Sequence, residues 1–298
     1  MKKVKLIGYK DQPFYYYSYE VDKADKMMII AHGVAEDARR YDYFARKLNE
    51  EGFNVYVISH IAHGEDCNLD DLGVWHKGDF DGCLMNINYL YKDVIEKNID
   101  NLKILFGHSM GSFMVQKYQL MYKNNFDKLI LCGCAMPNFK YKLGRFVISF
   151  INIFKSNKRV PGFEKMSFGS FNKKFENETS VDWLSKNKDN RQYYIDSPYC
   201  GFVCTAGFYK EFYKNVSKIP NGKYKKLYSK DYPILLIGGS MDMVSECSKL
   251  LIKLANFYKK QSDKVTYKIY EGDRHEILNE DDKDLIIKDI IDFVNNNG

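Results

Sequence analysis

Two periodicities alternate along most of the chain. Continuous apolar runs at 26–31, 103–106, 128–134 and 233–237 read as strands buried on both faces. Residues 54–61 and 265–270 read as further strands. Residues 4–10 and 14–21 form a hairpin pattern ahead of them. Helical spacing covers 40–51, with Tyr43, Phe44 and Leu48 apolar and Gly52 as a stop. It returns at 78–98, 110–123, 244–260 and 281–294. Strands alternating with helices predict an α/β fold: a mostly parallel sheet with helices on both faces.

The rhythm breaks between 138 and 230, where the chain reads as loop-rich and aromatic. A structureless loop of that length is improbable, so this stretch is expected to be an insertion. The expected organisation is therefore a core of 1–137 and 231–298 interrupted by an inserted cap at 138–230. The insertion carries 19 Lys/Arg against 7 Asp/Glu, although the whole chain is only +6. The rest is therefore acidic, with 26 basic and 32 acidic residues. A solvated basic face and a face for anionic lipid or anionic substrate both fit this asymmetry. No recognised nucleic-acid motif accompanies it, so no nucleic acid is expected as a partner. Lys223, Lys225 and Lys226 are candidates to meet lipid headgroups, and Phe146, Phe150, Phe154, Phe202 and Phe208 to line an apolar groove.

With 298 residues, 45% apolar and 28% charged, the chain has ample material for a core and is not a disordered polymer. No run of about 18 uncharged apolar residues suggests a membrane span. The basic start, Met1-Lys2-Lys3-Val4-Lys5, has no apolar stretch after it, so no secretory leader is expected. Seven cysteines without zinc spacing read as free thiols in a reducing compartment. The expected location is the cytoplasm, with peripheral contact at the inner membrane surface.

Gly107-His108-Ser109-Met110-Gly111 matches Gly-x-Ser-x-Gly, with an apolar strand before it and a helix after it. That setting holds a serine on a strained turn with its Oγ exposed. The helix N-terminus adds N–H donors where an oxyanion would develop. A nucleophilic serine needs a base, and the base needs an orienting carboxylate. Among six histidines, only His275 follows the last strand in the chain order serine, acid, histidine. Asp242, directly after the 233–237 strand, is the candidate acid. Asp273 is too near His275 along the chain, and Asp263 lies at the wrong strand end. The N–H groups of Val34, after His32-Gly33, and of Met110 are the candidate oxyanion donors.

Taken together, these segments resemble the α/β-hydrolase superfamily, specifically its lysophospholipase and monoacylglycerol lipase group, the serine aminopeptidase-like hydrolases. The resemblance rests on Ala31-His32-Gly33-Val34-Ala35-Glu36 with Arg40-Tyr41, His60-Ile-Ala-His63-Gly64, the Ser109 motif, Gly238-Gly-Ser-Met-Asp242, and Arg274-His275-Glu276 with Asn279-Glu280. It departs from that group at Gly64-Glu65-Asp66, where relatives often carry a serine. It implies an α/β-hydrolase fold whose insertion is a lid, with Ser197–202 and 205–208 helping to line an acyl pocket. It also implies hydrolysis of a lipid-like ester, a lysophospholipid or monoacylglycerol, through an acyl-enzyme without metal or organic cofactor. An acyltransferase or thioesterase on the same three residues, and a non-catalytic ligand-binding protein on the same fold, remain open alternatives.

Overall fold

The computed structural model describes residues 1–298 apart from 99, 124, 220–227 and 297–298. The lysines at 223, 225 and 226 lie outside the described residues. The expected apolar runs are the centre of an eight-stranded sheet, ordered β1-β2-β4-β3-β5-β6-β7-β8. The hairpin of β1 (Lys2–Ile7) and β2 (Pro13–Tyr19) is antiparallel and forms one edge. β2 also runs antiparallel to β4 (Phe53–Ile58). From there β3 (Lys26–Ala31), β5 (Leu102–His108), β6 (Lys128–Cys132), β7 (Ile234–Gly239) and β8 (Val265–Tyr270) continue in parallel. Purely parallel pairing suits β3, β5, β6 and β7, because strands covered on both faces carry apolar side chains without alternation, whereas β8 at the edge exposes Thr266, Tyr267 and Lys268.

Two helical layers supply the cover. On one face lie α1 (Asp42–Glu50) and α9 (Lys283–Asn295), which bury Phe44, Leu48, Ile286 and Ile290 against Ile30, Val57 and Phe106. On the other lie α2 (Asp79–Leu90), α3 (Met110–Met121) and α8 (Lys249–Tyr258), which bury Leu84, Ile87, Val115 and Leu254 against Ile29, Leu105 and Leu236.

The chain leaves β3 toward β4 and then crosses to β5 on β3's other side. This reversal opens a crevice beyond the carboxyl ends of β3 and β5, the usual ligand position in such sheets. Ala31 pairs with Gly107 there, so the loops after the two strands start side by side.

Between β6 and β7 the described residues include helices where the sequence reads as loop-rich. It forms α4 (Phe139–Lys155), α5 (Pro161–Phe168), α6 (Lys188–Asp196) and α7 (Ala206–Val216). Apolar residues on two sides of α4 obscure its period: Gly144 and Ile148 are buried, whereas Phe146, Phe150 and Phe154 are exposed. The last three face solvent and do not line an inner groove. A second departure is the start of α8, five residues later than the spacing suggests. Glu246, Cys247 and Ser248 all take left-handed φ values, 54°, 55° and 65°, so no helix can begin before Lys249. All seven cysteines are free. Among the described residues, no helix is long and apolar enough to cross a membrane.

Candidate active site

Ser109 sits on the turn from β5 into α3 with φ 50° and ψ −116°, a conformation that costs about 1–3 kcal/mol for a residue with a side chain. The turn is tight because its glycines touch backbone: a Cβ on Gly111 would collide with the Ala31 carbonyl, and one on Gly107 with that of Gly111. The Ser109 N–H donates to the Cys132 carbonyl at 3.0 Å, tying the turn to β6. Ser109 occupies the N-cap position of α3 without using its side chain as a cap, which leaves Oγ for another partner.

That partner is His275. Its Nε2 lies 2.9 Å from Ser109 Oγ, and its Nδ1 lies 3.0 Å from Oδ1 of Asp242. The carboxylate fixes the tautomer, since Nδ1–H donates to Asp242 and Nε2 is left to accept from the serine hydroxyl. Asp242 is wholly buried, and its Oδ1 also accepts from the Val244 N–H at 2.8 Å. The loops carrying acid and base are bound to each other, with Met241 N–H donating to the Asp273 carbonyl at 2.9 Å. Residues 166 and 33 positions apart in sequence are thus joined in one line, in which the imidazole can take a proton from the hydroxyl.

The rejected acids lie elsewhere. The Asp273 carboxylate takes Lys186 Nζ at 2.5 Å and does not touch the His275 ring. Burial pushes its pKa up to about 6, against the pull of Lys186. Asp263 is in an exposed pair with Lys230.

The two candidate oxyanion donors flank the serine. Met110 opens α3, so its N–H has no acceptor within the helix. Gly33 approaches so closely that a Cβ there would lie 3.2 Å from Ser109 Cβ, bringing the Gly33–Val34 peptide to the nucleophile. Three buried histidines hold this loop. His32 Nδ1 is 2.8 Å from the Gly33 carbonyl, the Ala35 N–H donates to His63 Nε2 at 3.3 Å, and the His60 N–H donates to His32 Nε2 at 3.3 Å. Each accepting nitrogen requires a neutral ring. Burial lowers the pKa of all three, that of His63 to about 3.

Behind the serine lies a buried charge network to which the sequence reading assigned no role. Glu36 accepts from the Gly33 N–H at 2.5 Å, from Tyr41 Oη at 3.1 Å and from Arg40 at 2.8 Å, and its Oε1 is 3.1 Å from His108 Nδ1. Arg40 continues to Glu276 with contacts of 2.8 and 2.5 Å, to Asn190 of α6 at 2.8 Å, and over the Tyr194 ring. Burial alone would push the Glu36 carboxyl up, but His108 and Arg40 hold it below the usual carboxylate range. Burial likewise pulls on His108, and Glu36 outweighs it, so its pKa is raised. The network joins the loop after β3, the β5–α3 turn, the loop after β8 and α6. Glu36, Arg40 and Glu276 lie within the segments that carry the family resemblance.

An eight-stranded sheet of this order, with a serine on the β5–α3 turn hydrogen-bonded to a histidine after the last strand, defines the α/β-hydrolase class. Within it, the chain belongs to the Hydrolase_4 family, described as serine aminopeptidase, S33, whose model matches residues 22–282. It is similar to the monoacylglycerol lipase of Mycolicibacterium smegmatis, 22% identical over 271 residues that cover 90% of this chain and 87% of that protein. Among solved structures it is similar to a thermostable carboxyl esterase from Bacillus coagulans in complex with glycerol, with TM-score 0.87, 25% identity, and coverage of 99% and 97% of the two chains. A soluble variant of monoglyceride lipase from Saccharomyces cerevisiae, in complex with a substrate analog, superposes with TM-score 0.77 at 17% identity, covering 99% of this chain and 94% of that one.

Proposed function

We propose that the protein is a serine hydrolase of lipid-like carboxylic esters, with a monoacylglycerol or lysophospholipid as substrate. The observation that carries this reading is the unbroken line from Ser109 Oγ through His275 to buried Asp242. The names of the monoacylglycerol lipase and carboxyl esterase relatives support the substrate class.

Ser109 Oγ attacks the ester carbonyl while His275 Nε2 takes its proton. Asp242 stabilises the imidazolium that results. The carbonyl oxygen becomes an oxyanion, held by the N–H groups of Val34 and Met110. Collapse breaks the carbon–oxygen bond to the alcohol, which leaves with the proton from His275. A water then gives a proton to His275 and its oxygen to the acyl carbon; the bond from that carbon to Ser109 Oγ breaks, His275 returns the proton to Oγ, and the fatty acid leaves. No step calls on a metal or organic cofactor. The described residues of the 138–230 stretch act as the cap over this site. Their Phe202, Phe208 and Phe212 meet His63, Trp75 and Phe113 of the core in one aromatic row, a suitable wall for an acyl chain.

The test is a panel of glycerol esters, lysophospholipids and thioesters of varied acyl length, run with wild type and Ser109→Ala. Release of fatty acid by wild type alone supports the reading. Labelling of Ser109 by a fluorophosphonate without turnover of any ester would instead support the ligand-binding alternative. Transfer to an added alcohol in preference to water would support the acyltransferase.

A further inference from the structure

The loop that carries His275 runs alongside residues 182–185 of the insertion. Two bonds set the alignment. The Arg274 guanidinium donates to the Asp182 carbonyl at 2.7 Å, and the Glu276 N–H donates to the Leu184 carbonyl at 2.8 Å. The residues between them, His275 and Trp183, meet ring to ring. Their centroids are 5.5 Å apart and their planes are tilted by 33°. At that separation and tilt the indole presents part of its face to the imidazole, as in an offset stack.

The grip extends to either side of this contact. Arg274 also donates to the Ser185 carbonyl at 3.3 Å and to both oxygens of Glu176 at 2.6 and 2.8 Å. Glu280 is wholly buried and accepts from Ser185 Oγ and from the N–H groups of Lys186 and Asn187. Trp183 has further support within the insertion. Its N–H donates to Asn172 Oδ1 at 3.0 Å. Phe168 lies parallel to its ring at 6.2 Å, and Phe171 meets it edge-on at 5.3 Å. The indole is thus fixed by groups other than the imidazole it covers.

His275 is only 2% exposed, so an imidazolium formed there finds little water. Its charge must be answered by the protein. Asp242 lies at Nδ1, Ser109 lies at Nε2, and the ring of His108, itself paired with Glu36, is 5.0 Å away. Trp183 adds a different kind of partner. The face of an indole attracts a cation within about 6 Å of its centroid, and more strongly where water is excluded. That attraction is realised only while the imidazole is charged, so it favours the transition state over bound substrate.

We propose that Trp183 is a positioning residue for the base, holding the His275 imidazole in line with Ser109 and stabilising the imidazolium that forms as Ser109 gives up its proton. The insertion then supplies part of the active centre as well as its cover. The inference rests on the proposed hydrolase reading, because the imidazolium forms only when Ser109 reacts.

The experiment is turnover of a soluble short-chain p-nitrophenyl ester across pH by full-length wild type, Trp183→Phe and Trp183→Leu. Trp183→Leu keeps an apolar side chain but loses the ring face. Its kcat should fall by about 2–30-fold with KM little changed. The acid limb of its kcat/KM profile should move to lower pH by about half a unit or more. Trp183→Phe keeps a weaker face and should recover part of both. Wild type grown with tryptophan bearing one fluorine or three keeps the indole's shape while draining its face of charge, so kcat should drop stepwise. The chain has two tryptophans, and Trp183→Leu grown with the same analogues isolates the contribution of Trp75. If Trp183→Leu fails to fold, the fluorinated series in wild type still decides. An unchanged rate across that series, a loss confined to KM, or an acid limb that moves to higher pH would overturn the proposal and leave Trp183 as packing within the insertion. A protein that turns over no ester sinks the hydrolase reading separately. The rate at which a fluorophosphonate labels Ser109, which also draws on His275, then carries the same comparison.

Discussion

His32 Nδ1 lies 2.8 Å from the Gly33 carbonyl oxygen, and this bond sets the direction of the Val34 N–H. The two groups belong to one planar trans peptide, so the N–H points opposite to the carbonyl. With the carbonyl turned toward His32, the N–H turns away from it. A hydrogen bond at the carbonyl also polarises the N–H. His32→Ala should therefore lower kcat by about 10–100-fold, part of the roughly 10²–10³ attached to one oxyanion donor. KM should change little, because the developing charge belongs to the transition state. His32→Asn keeps a donor close to the Nδ1 position and should recover most of the rate. Equal losses in both variants, or a change confined to KM, would assign His32 to packing alone.

Ser109→Gly should abolish ester turnover, with a loss of about three orders of magnitude or more, without destabilising the fold. The φ of 50° that strains serine is open to glycine. The relief offsets the entropy glycine adds to the unfolded chain. Urea unfolding is the check, and a midpoint well below that of Ser109→Ala would contradict strain at this residue.

Acid should destabilise the protein from about pH 6.5 downward, above the range of ordinary carboxylates. His32, His60 and His63 are buried neutral, with folded pKa values below their unfolded value. As pH falls through the unfolded pKa, the unfolded chain binds protons that the folded one refuses, so stability is lost. For His63 the window runs from about 6.5 to about 3. Asp273 works in the opposite direction, because its folded pKa is raised to about 6 and stability falls as pH rises toward that value. His63→Gln should flatten the decline between pH 7 and 5 by about one proton. Unfolding midpoints measured across that range for both proteins decide it.

The candidate trio of Ser109, Asp242 and His275 was legible in the sequence because each follows a strand within about five residues, where local pattern and chain order carry the information. The parallel sheet was legible for the same reason: β3 and β7 are unbroken apolar runs. Other features depend on facts that no window of sequence contains. The outward stripe of α4 hides its period, since apolar residues occupy two faces. The late start of α8 comes from Glu246, Cys247 and Ser248, a left-handed run with no glycine to announce it. Arg40 and Glu276 are 236 positions apart, so only the fold reveals their pairing.

That pairing supports the last prediction. Arg40 is buried between two buried carboxylates, Glu36 at 2.8 Å and Glu276 at 2.5 Å. Arg40→Met keeps much of the volume but leaves both anions without their shared cation. Removing one partner from a buried charged set costs about 3–5 kcal/mol, far more than an exposed pair such as Arg46–Asp42. Arg40→Lys keeps the charge but cannot span both carboxylates in two-pronged fashion, so it should fall between wild type and Arg40→Met. Arg46→Met should change stability by less than about 1 kcal/mol. Urea titrations of the three variants give the order directly. If Arg40→Met proved as stable as Arg46→Met, the network would not be holding the loops around Ser109 together.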